Sequence, residues 1–165
     1  MNDDLTVVFD NDVAKTIGTI TTAALPLETG GLLLGWWDAG TVFIKDAIEI
    51  VDPDATRIAW SRHQKIAQEI LDEALARIAH PWLGYVGDWH SHPEQCPPSS
   101  TDLRTLGQTS MQFTEPLILL VHTPPDKFEV RAAHVGRPRT PSVRPAAPQA
   151  RLVDGRTPRI RMHTD

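Results

Sequence analysis

Gly87-Asp88-Trp89-His90-Ser91-His92-Pro93, followed by Pro98-Ser99-Ser100-Thr101-Asp102, is the stretch from which the rest of the chain is read. In an extended segment, residues two apart point to the same face. His90 and His92 at the end of a strand can therefore aim both imidazoles at one point. Asp102, returning on the next loop, can add a carboxylate. Two imidazoles and one carboxylate suit Zn²⁺, and three protein ligands leave the fourth tetrahedral position open for water, as in catalytic rather than structural sites. Bound zinc lowers the pKa of its water toward ~7 and so makes a hydroxide-like nucleophile at neutral pH. Spacing alone leaves other readings open. His-X-His is common on surfaces, and Ser99-x-x-Asp102 also fits a capping box at the start of a helix. His63, His80, His122, His134 and His163 show no paired spacing and read as structural or solvent-exposed.

The composition limits what such a site can be made of. Cys96 is the single cysteine, so an intramolecular disulfide and a Cys-based zinc knuckle are both excluded, and a metal site must use His, Asp and Glu. The 165 residues suit one domain with a tail, and 41% apolar with 22% charged residues is ordinary for a soluble globular protein. The longest uncharged apolar run, Gly30 to Trp37, is far short of the ~20 residues a membrane span needs. The acidic opening Met1-Asn2-Asp3-Asp4 does not resemble a secretory or transit peptide, so a cytoplasmic location is expected.

Charge divides the chain. Residues 137–165 hold seven arginines against Asp154 and Asp165, whereas residues 1–136 hold nine basic and nineteen acidic side chains. The basic segment is rich in proline and poor in large apolar residues, so it cannot bury enough surface to offset its ordering entropy. It reads as a disordered tail over 136–165, after a domain over 1–135. No aromatic residue follows Phe128, so base stacking has no support and nucleic acid is not an expected partner.

Working outward through the body, the pattern is mixed α and β. Leu5 to Phe9 reads as a short strand, and Asp10 or Asn11 can cap a helix through Val13, Ile17 and Ile20 that ends before Pro26. Gly31 to Trp37 and Thr41 to Ile50 flank Asp38-Ala39-Gly40 and predict a hairpin. Residues 61–79 predict a helix, with Ser61 and Gln64 at capping-box spacing and Ile66, Ile70, Leu71, Ala74, Leu75 and Ile78 along one face. Trp82 to Trp89, Pro116 to His122 and Lys127 to Val135 read as strands, with a helix over Asp102 to Met111. The five tryptophans Trp36, Trp37, Trp60, Trp82 and Trp89 read as core and groove walls.

His-Ser-His-Pro followed by Pro-Ser-x-x-Asp resembles the signature of the JAMM (MPN+/JAB) zinc metalloproteases. Upstream, Leu27-Glu28-Thr29-Gly30-Gly31-Leu32-Leu33-Leu34-Gly35 is similar to that family's Glu-containing turn into a strand. The resemblance covers roughly residues 5–135 and implies an α+β MPN/JAB fold, a central mixed sheet flanked by helices. It implies one Zn²⁺ per chain on His90, His92 and Asp102. Glu28 would be the general base, and Ser99 the hydrogen-bond donor to the oxyanion. One departure stands out: nine residues, 93–101, separate the second histidine from the aspartate, where the family pattern has ten. A surface loop can absorb that deletion. Cys96 lies in the same loop, either as a fourth zinc ligand or as a plain loop residue.

Proteins similar to this one hydrolyse the amide or isopeptide bond after the C-terminus of a ubiquitin-like protein. The wording around Glu28 and His90 looks closest to compact bacterial JAB deconjugases, which occur beside E1-like and E2-like enzymes, including in anti-phage CBASS-type operons. The resemblance thus implies an isopeptidase acting on a ubiquitin-like or other protein with an extended C-terminal tail, or on a conjugated signalling enzyme. Two alternatives remain: processing of a sulfur-carrier protein in cysteine or cofactor biosynthesis, and a non-catalytic MPN scaffold.

Overall fold

A computed structural model describes residues 5–9, 11–135, 141–145 and 147–148. Its elements run β1 (Thr6–Phe9), α1 (Asn11–Ala24), β2 (Gly30–Asp38), β3 (Thr41–Ile50), α2 (Gln64–Ile78), β4 (Gly84–Ser91), α3 (Ser100–Ser110), β5 (Leu117–Thr123), β6 (Lys127–Val135), β7 (Pro141–Pro145) and β8 (Ala147–Pro148). All eight strands join one mixed sheet in the order β7-β6-β5-β4-β2-β3-β1-β8. The α+β architecture expected from the sequence is the one observed.

Each element follows from local chemistry. The β2–β3 hairpin turns on Ala39 and Gly40, both at positive φ (45° and 78°), the two-residue turn whose twist matches its strands. Val13, Ile17 and Thr21, spaced by four, are the buried stripe of α1. β5 is buried along its whole length, as a strand covered on both faces must be. Helix α1 packs Val13 and Ile17 into a cluster with Val86, Trp89, Ile118 and Leu120. Leu106 of α3 packs with Leu117, Leu119 and Val121, and Ala67 of α2 packs with Leu32 and Ile50. Strand β4 runs parallel to β5 and antiparallel to β2, with α3 as the crossover between the parallel pair.

Two expectations about α2 need correction. Helix α2 begins at Gln64, not near Ser61; its N-cap is His63, which makes no side-chain cap bond. The Ser61 amide instead donates to Asp52 Oδ2 at 2.8 Å, which keeps it out of the helix. On the face read as apolar, Ala74 is buried and Ile70 and Leu71 are partly buried, while Ile66 and Ile78 stay exposed because α2 meets the sheet through the side that carries Ala67. Within the expected tail, Pro141–Pro145 pairs with β6 and Ala147–Pro148 pairs with β1. Edge pairing uses backbone groups and tolerates proline at strand ends, so it needs little apolar side-chain burial. The other residues of 136–165 lie outside the described ones. β7 and β8 sit at opposite ends of the strand order, yet only residue 146 separates them. The sheet therefore curls until its edges approach, and Phe9 of β1 meets Phe128 of β6 with ring centroids 5.3 Å apart.

Candidate metal centre

At the C-terminal end of β4, His90 and His92 are buried and turn their Nε2 atoms toward each other at 3.1 Å. Asp102, in the first turn of α3, brings Oδ2 to 3.4 Å from His90 Nε2 and 3.5 Å from His92 Nε2. Among the described residues these three side chains form the group able to hold a metal ion. The three separations make a nearly equilateral triangle. Bonds of ~2.0–2.1 Å to a tetrahedral ion give ligand–ligand edges of about 3.3–3.4 Å, so the triangle fits one face of such a tetrahedron. Two nitrogens and one carboxylate oxygen are a donor set that zinc accepts.

The capping box and the ligand reading of Asp102 are both realised. Ser99 Oγ accepts the Asp102 amide at 3.1 Å, and the Ser99 amide donates to Asp102 Oδ2 at 2.7 Å. The oxygen that closes the box is thus the one that faces the imidazoles. Burial alone would raise the Asp102 carboxyl, but hydrogen bonds from His90 and His92 and the Ser99 amide hold it far below the usual carboxylate range. The loop one residue shorter than the family pattern still delivers Asp102 to the histidines.

His92 is fixed from behind. Its Nδ1 lies 3.1 Å from the Cys96 carbonyl oxygen, which can only accept, so Nδ1 carries a proton and Nε2 is the atom that would ligate a metal in exchange for its own proton. Its main-chain N–H donates to the His122 carbonyl at 2.8 Å. Cys96 Sγ also lies against Nδ1, at 3.1 Å, on the side of the ring away from the triangle. Burial and the nearby Glu28 and Asp102 carboxylates push the Cys96 thiol up. Cys96 thus supports His92 rather than completing the ligand set. His122 is structural, as expected: it is buried between Thr21 Oγ1 at 3.0 Å and the Pro125 carbonyl at 3.2 Å.

Glu28 stands just before β2, only 8% exposed, with Oε1 3.8 Å from His92 Nε2. Burial pushes its carboxyl up, against the pull of His90 and His92 and with Asp102 adding to the rise. A stitch holds this segment to β4: the Ser91 amide donates to the Thr29 carbonyl at 2.8 Å, and the Thr29 amide donates to Ser91 Oγ at 3.0 Å. Gly30 makes the approach possible. A Cβ there would lie 2.5 Å from the Trp89 carbonyl oxygen and 2.9 Å from both His90 Cβ and Trp60 Cδ2. Gly30→Ala should therefore cost about 1–3 kcal/mol, read as a lower urea midpoint, through displacement of Trp60 and β4. An unchanged midpoint would show that the strand gives way freely.

The remaining wall is the loop 51–63. The Glu28 amide donates to the Thr56 carbonyl at 2.7 Å, and Trp60 stacks on His90 with centroids 6.5 Å apart. Asp52 organises this loop by accepting from the Asp54 and Ser61 amides and pairing with His63 Nε2 at 3.0 Å. Burial raises its carboxyl, but the His63 bond and the two amides outweigh that and leave it below the ordinary value. Asp52→Ala should cost about 1–3 kcal/mol at pH 7 by taking away the acceptor that the Asp54 and Ser61 amides and His63 share. A carboxylate whose folded pKa is depressed stabilises above its unfolded value of ~3.9 and loses that contribution as pH falls through the folded value. Below pH ~4 the variant and the natural chain should therefore converge in stability, a convergence that urea titrations across pH can check.

This geometry has a family match. Residues 10–135 match the model of prokaryotic homologs of the JAB domain. The chain belongs to that family. The chain is 36% identical over 84 residues to a protein named probable metalloprotease y4qB of Sinorhizobium fredii (strain NBRC 101917 / NGR234), covering 48% of this chain and 51% of that protein. The chain thus spans about half the length of the curated relative it matches. The solution structure of protein DSY2949 from Desulfitobacterium hafniense has a TM-score of 0.62 at 17% identity, covering 88% of this chain and 94% of that one, which shows a shared fold. No helix among the described residues is long and apolar enough to cross a membrane.

Of the five site residues expected from the JAB-type motif, the structure gathers His90, His92 and Asp102, sets Glu28 beside them and puts Ser99 at the cap of α3. Thr29, Ser91, Asp52, Trp60 and Arg62 were not foreseen in supporting roles. Ser91 and Thr29 carried a signal only by standing beside motif residues. The others depend on a loop whose path has no local sequence signature.

Proposed function

We propose that this chain is a zinc-dependent peptidase that hydrolyses the amide bond following the C-terminus of a ubiquitin-like protein or of a conjugated protein. The observation that carries the reading is the His90–His92–Asp102 triangle with the Glu28 carboxylate 3.8 Å from one corner. Bound on those three residues, zinc would supply a Lewis acid and lower the pKa of a coordinated water. Glu28, desolvated and next to the triangle, takes the proton of the attacking water and delivers it to the departing amine. Ser99 Oγ spends a lone pair on the Asp102 amide, and its own proton stays free to donate to the oxyanion developing on the substrate carbonyl. His92, pinned through Nδ1, and Asp102, pinned through the cap, keep the ligand atoms converged without rearrangement.

The substrate in this reading is an extended protein tail, the form in which a scissile bond can reach a site held between strand ends. E1-like and E2-like enzymes belong to this reading as the machinery that would form the conjugates. The chain's intact ligand set favours it over a non-catalytic scaffold.

The test is metal analysis of the purified chain together with incubation against C-terminal fusions of candidate ubiquitin-like proteins. Near-stoichiometric zinc and cleavage that a chelator stops are expected. Zinc-loaded protein that leaves every fusion intact overturns the deconjugase reading. Protein that binds no zinc overturns the metallopeptidase reading itself.

A further inference from the structure

Two side-chain rungs join the loop 51–63 to strand β4. On the first, Trp60 stacks on His90, the ring planes 29° apart. On the second, Arg62 Nη1 donates to both Asp88 Oδ1 and Oδ2 at 2.9 Å each. The steps are matched: Arg62 is two residues after Trp60, and Asp88 is two residues before His90 on the same face of β4. The loop thus runs alongside β4 as an antiparallel companion joined by side chains.

The second rung is heavily built for a group that touches none of the triangle. A register shift between Leu33 and Leu34 of β2, opposite Tyr85 to Gly87, lets Tyr85 share a side with Asp88. Tyr85 Oη accepts from Arg62 Nη1 at 2.7 Å and donates to Asp88 Oδ1 at 2.9 Å. Arg62 Nη2 donates to Gln64 Oε1 at 3.0 Å, reaching the first turn of α2. The Arg62 and Asp88 side chains are 15% and 17% exposed, so the pair is largely removed from solvent. The Trp60 indole is held at its other end, with Nε1 donating to the Ile50 carbonyl at 3.0 Å.

We propose that Arg62 is a positioning residue for His90: its guanidinium, clamped on Asp88, fixes Trp60 against the imidazole and so sets the plane in which His90 Nε2 meets the ligand triangle. The guanidinium divides its donors between two nitrogens held in one plane, Nη1 to Asp88 and Tyr85 and Nη2 to Gln64, an arrangement that the single nitrogen of an ammonium cannot reproduce, so the geometry calls for arginine in particular. Removing it strands a largely buried carboxylate two residues from a ligand, and β4 and the loop are free to part. The proposal rests on the zinc-peptidase reading for its consequence, not for its geometry.

The experiment therefore begins on the full metal-free chain. Histidine ring NMR should show the ring-current shift of His90 and its contact with Trp60. In Arg62→Ala both should vanish, and Arg62→Lys should retain part of them. In the zinc-loaded chain, Arg62→Ala should weaken zinc affinity by about 10–100-fold, as loss of an outer partner does, and lower kcat with little change in KM. Trp60→Leu combined with Arg62→Ala should weaken zinc no more than Arg62→Ala alone, since both act through one contact. A His90–Trp60 contact that persists in Arg62→Ala overturns the proposal, as do fully additive effects in the double variant. If Arg62→Ala fails to fold, Arg62→Lys decides by the same readouts, with an unaltered contact and affinity counting against it. An unsubstituted chain that binds no zinc overturns the metallopeptidase reading instead, and the ring NMR still decides this one.

Discussion

Glu28→Gln should cut cleavage of a C-terminal fusion by about 10²–10⁴-fold and leave zinc content at the level of the natural chain. The two side chains have the same shape, so the buried slot beside His92 stays filled. What disappears is the ability to accept a proton. Burial pushes the Glu28 carboxyl up, so its ionised form is held in the fold at a cost. Glutamine removes that cost, and the variant should melt at the same temperature as the natural chain or slightly higher, the trade common at active sites. Single-turnover cleavage followed on gels, with metal analysis of the same samples, checks both halves. Retention of more than a tenth of the activity would mean that Glu28 is not the base.

His92→Ala should have the larger effect on the metal. It removes one corner of the triangle, and zinc affinity should fall by more than the ~10–100-fold typical of losing an outer-shell partner. Cleavage should drop to background. Dialysis against a chelator should reproduce the loss in the natural chain, and added zinc should restore activity there but not in the variant at matched concentration. The substitution also deletes the ring bonded to the Cys96 carbonyl. The loop 93–98 should then become easier to cut, which limited proteolysis can read separately from metal content. Full activity in His92→Ala would remove the triangle from the reaction.

Some of this was legible in the residues alone because it is local. His90 and His92 share a face by strand periodicity, and Ser99 and Asp102 meet by helical spacing. Their convergence is not local: spacing leaves Asp102 as a third ligand among several open readings, and the family resemblance selects that one and adds Glu28. The element order was readable for the same reason, since hydrophobic period and turn residues act over a few positions. Ser61 shows where such reading stops. Its cap spacing to Gln64 was sound, but Asp52, nine residues back, offers its amide a buried acceptor and wins. Arg62 and Asp88 carry no local signal: 26 residues apart, they meet only because the loop path brings them face to face. Ile66 and Ile78 lie on the predicted apolar stripe and still face solvent, because periodicity gives a direction and not a depth.

The double duty of Asp102 Oδ2 has a consequence for folding. The same oxygen closes the first turn of α3 and stands at a corner of the ligand triangle. A cation seated there would therefore draw its binding energy partly from, and return it to, the start of a helix. Helix nucleation is the costly step of helix formation, and α3 is only eleven residues long. Metal occupancy and the order of α3 would then form a single linked equilibrium. Because α3 is the crossover that sets β5 beside β4, loss of a bound ion would reach through that helix to the central strands of the sheet.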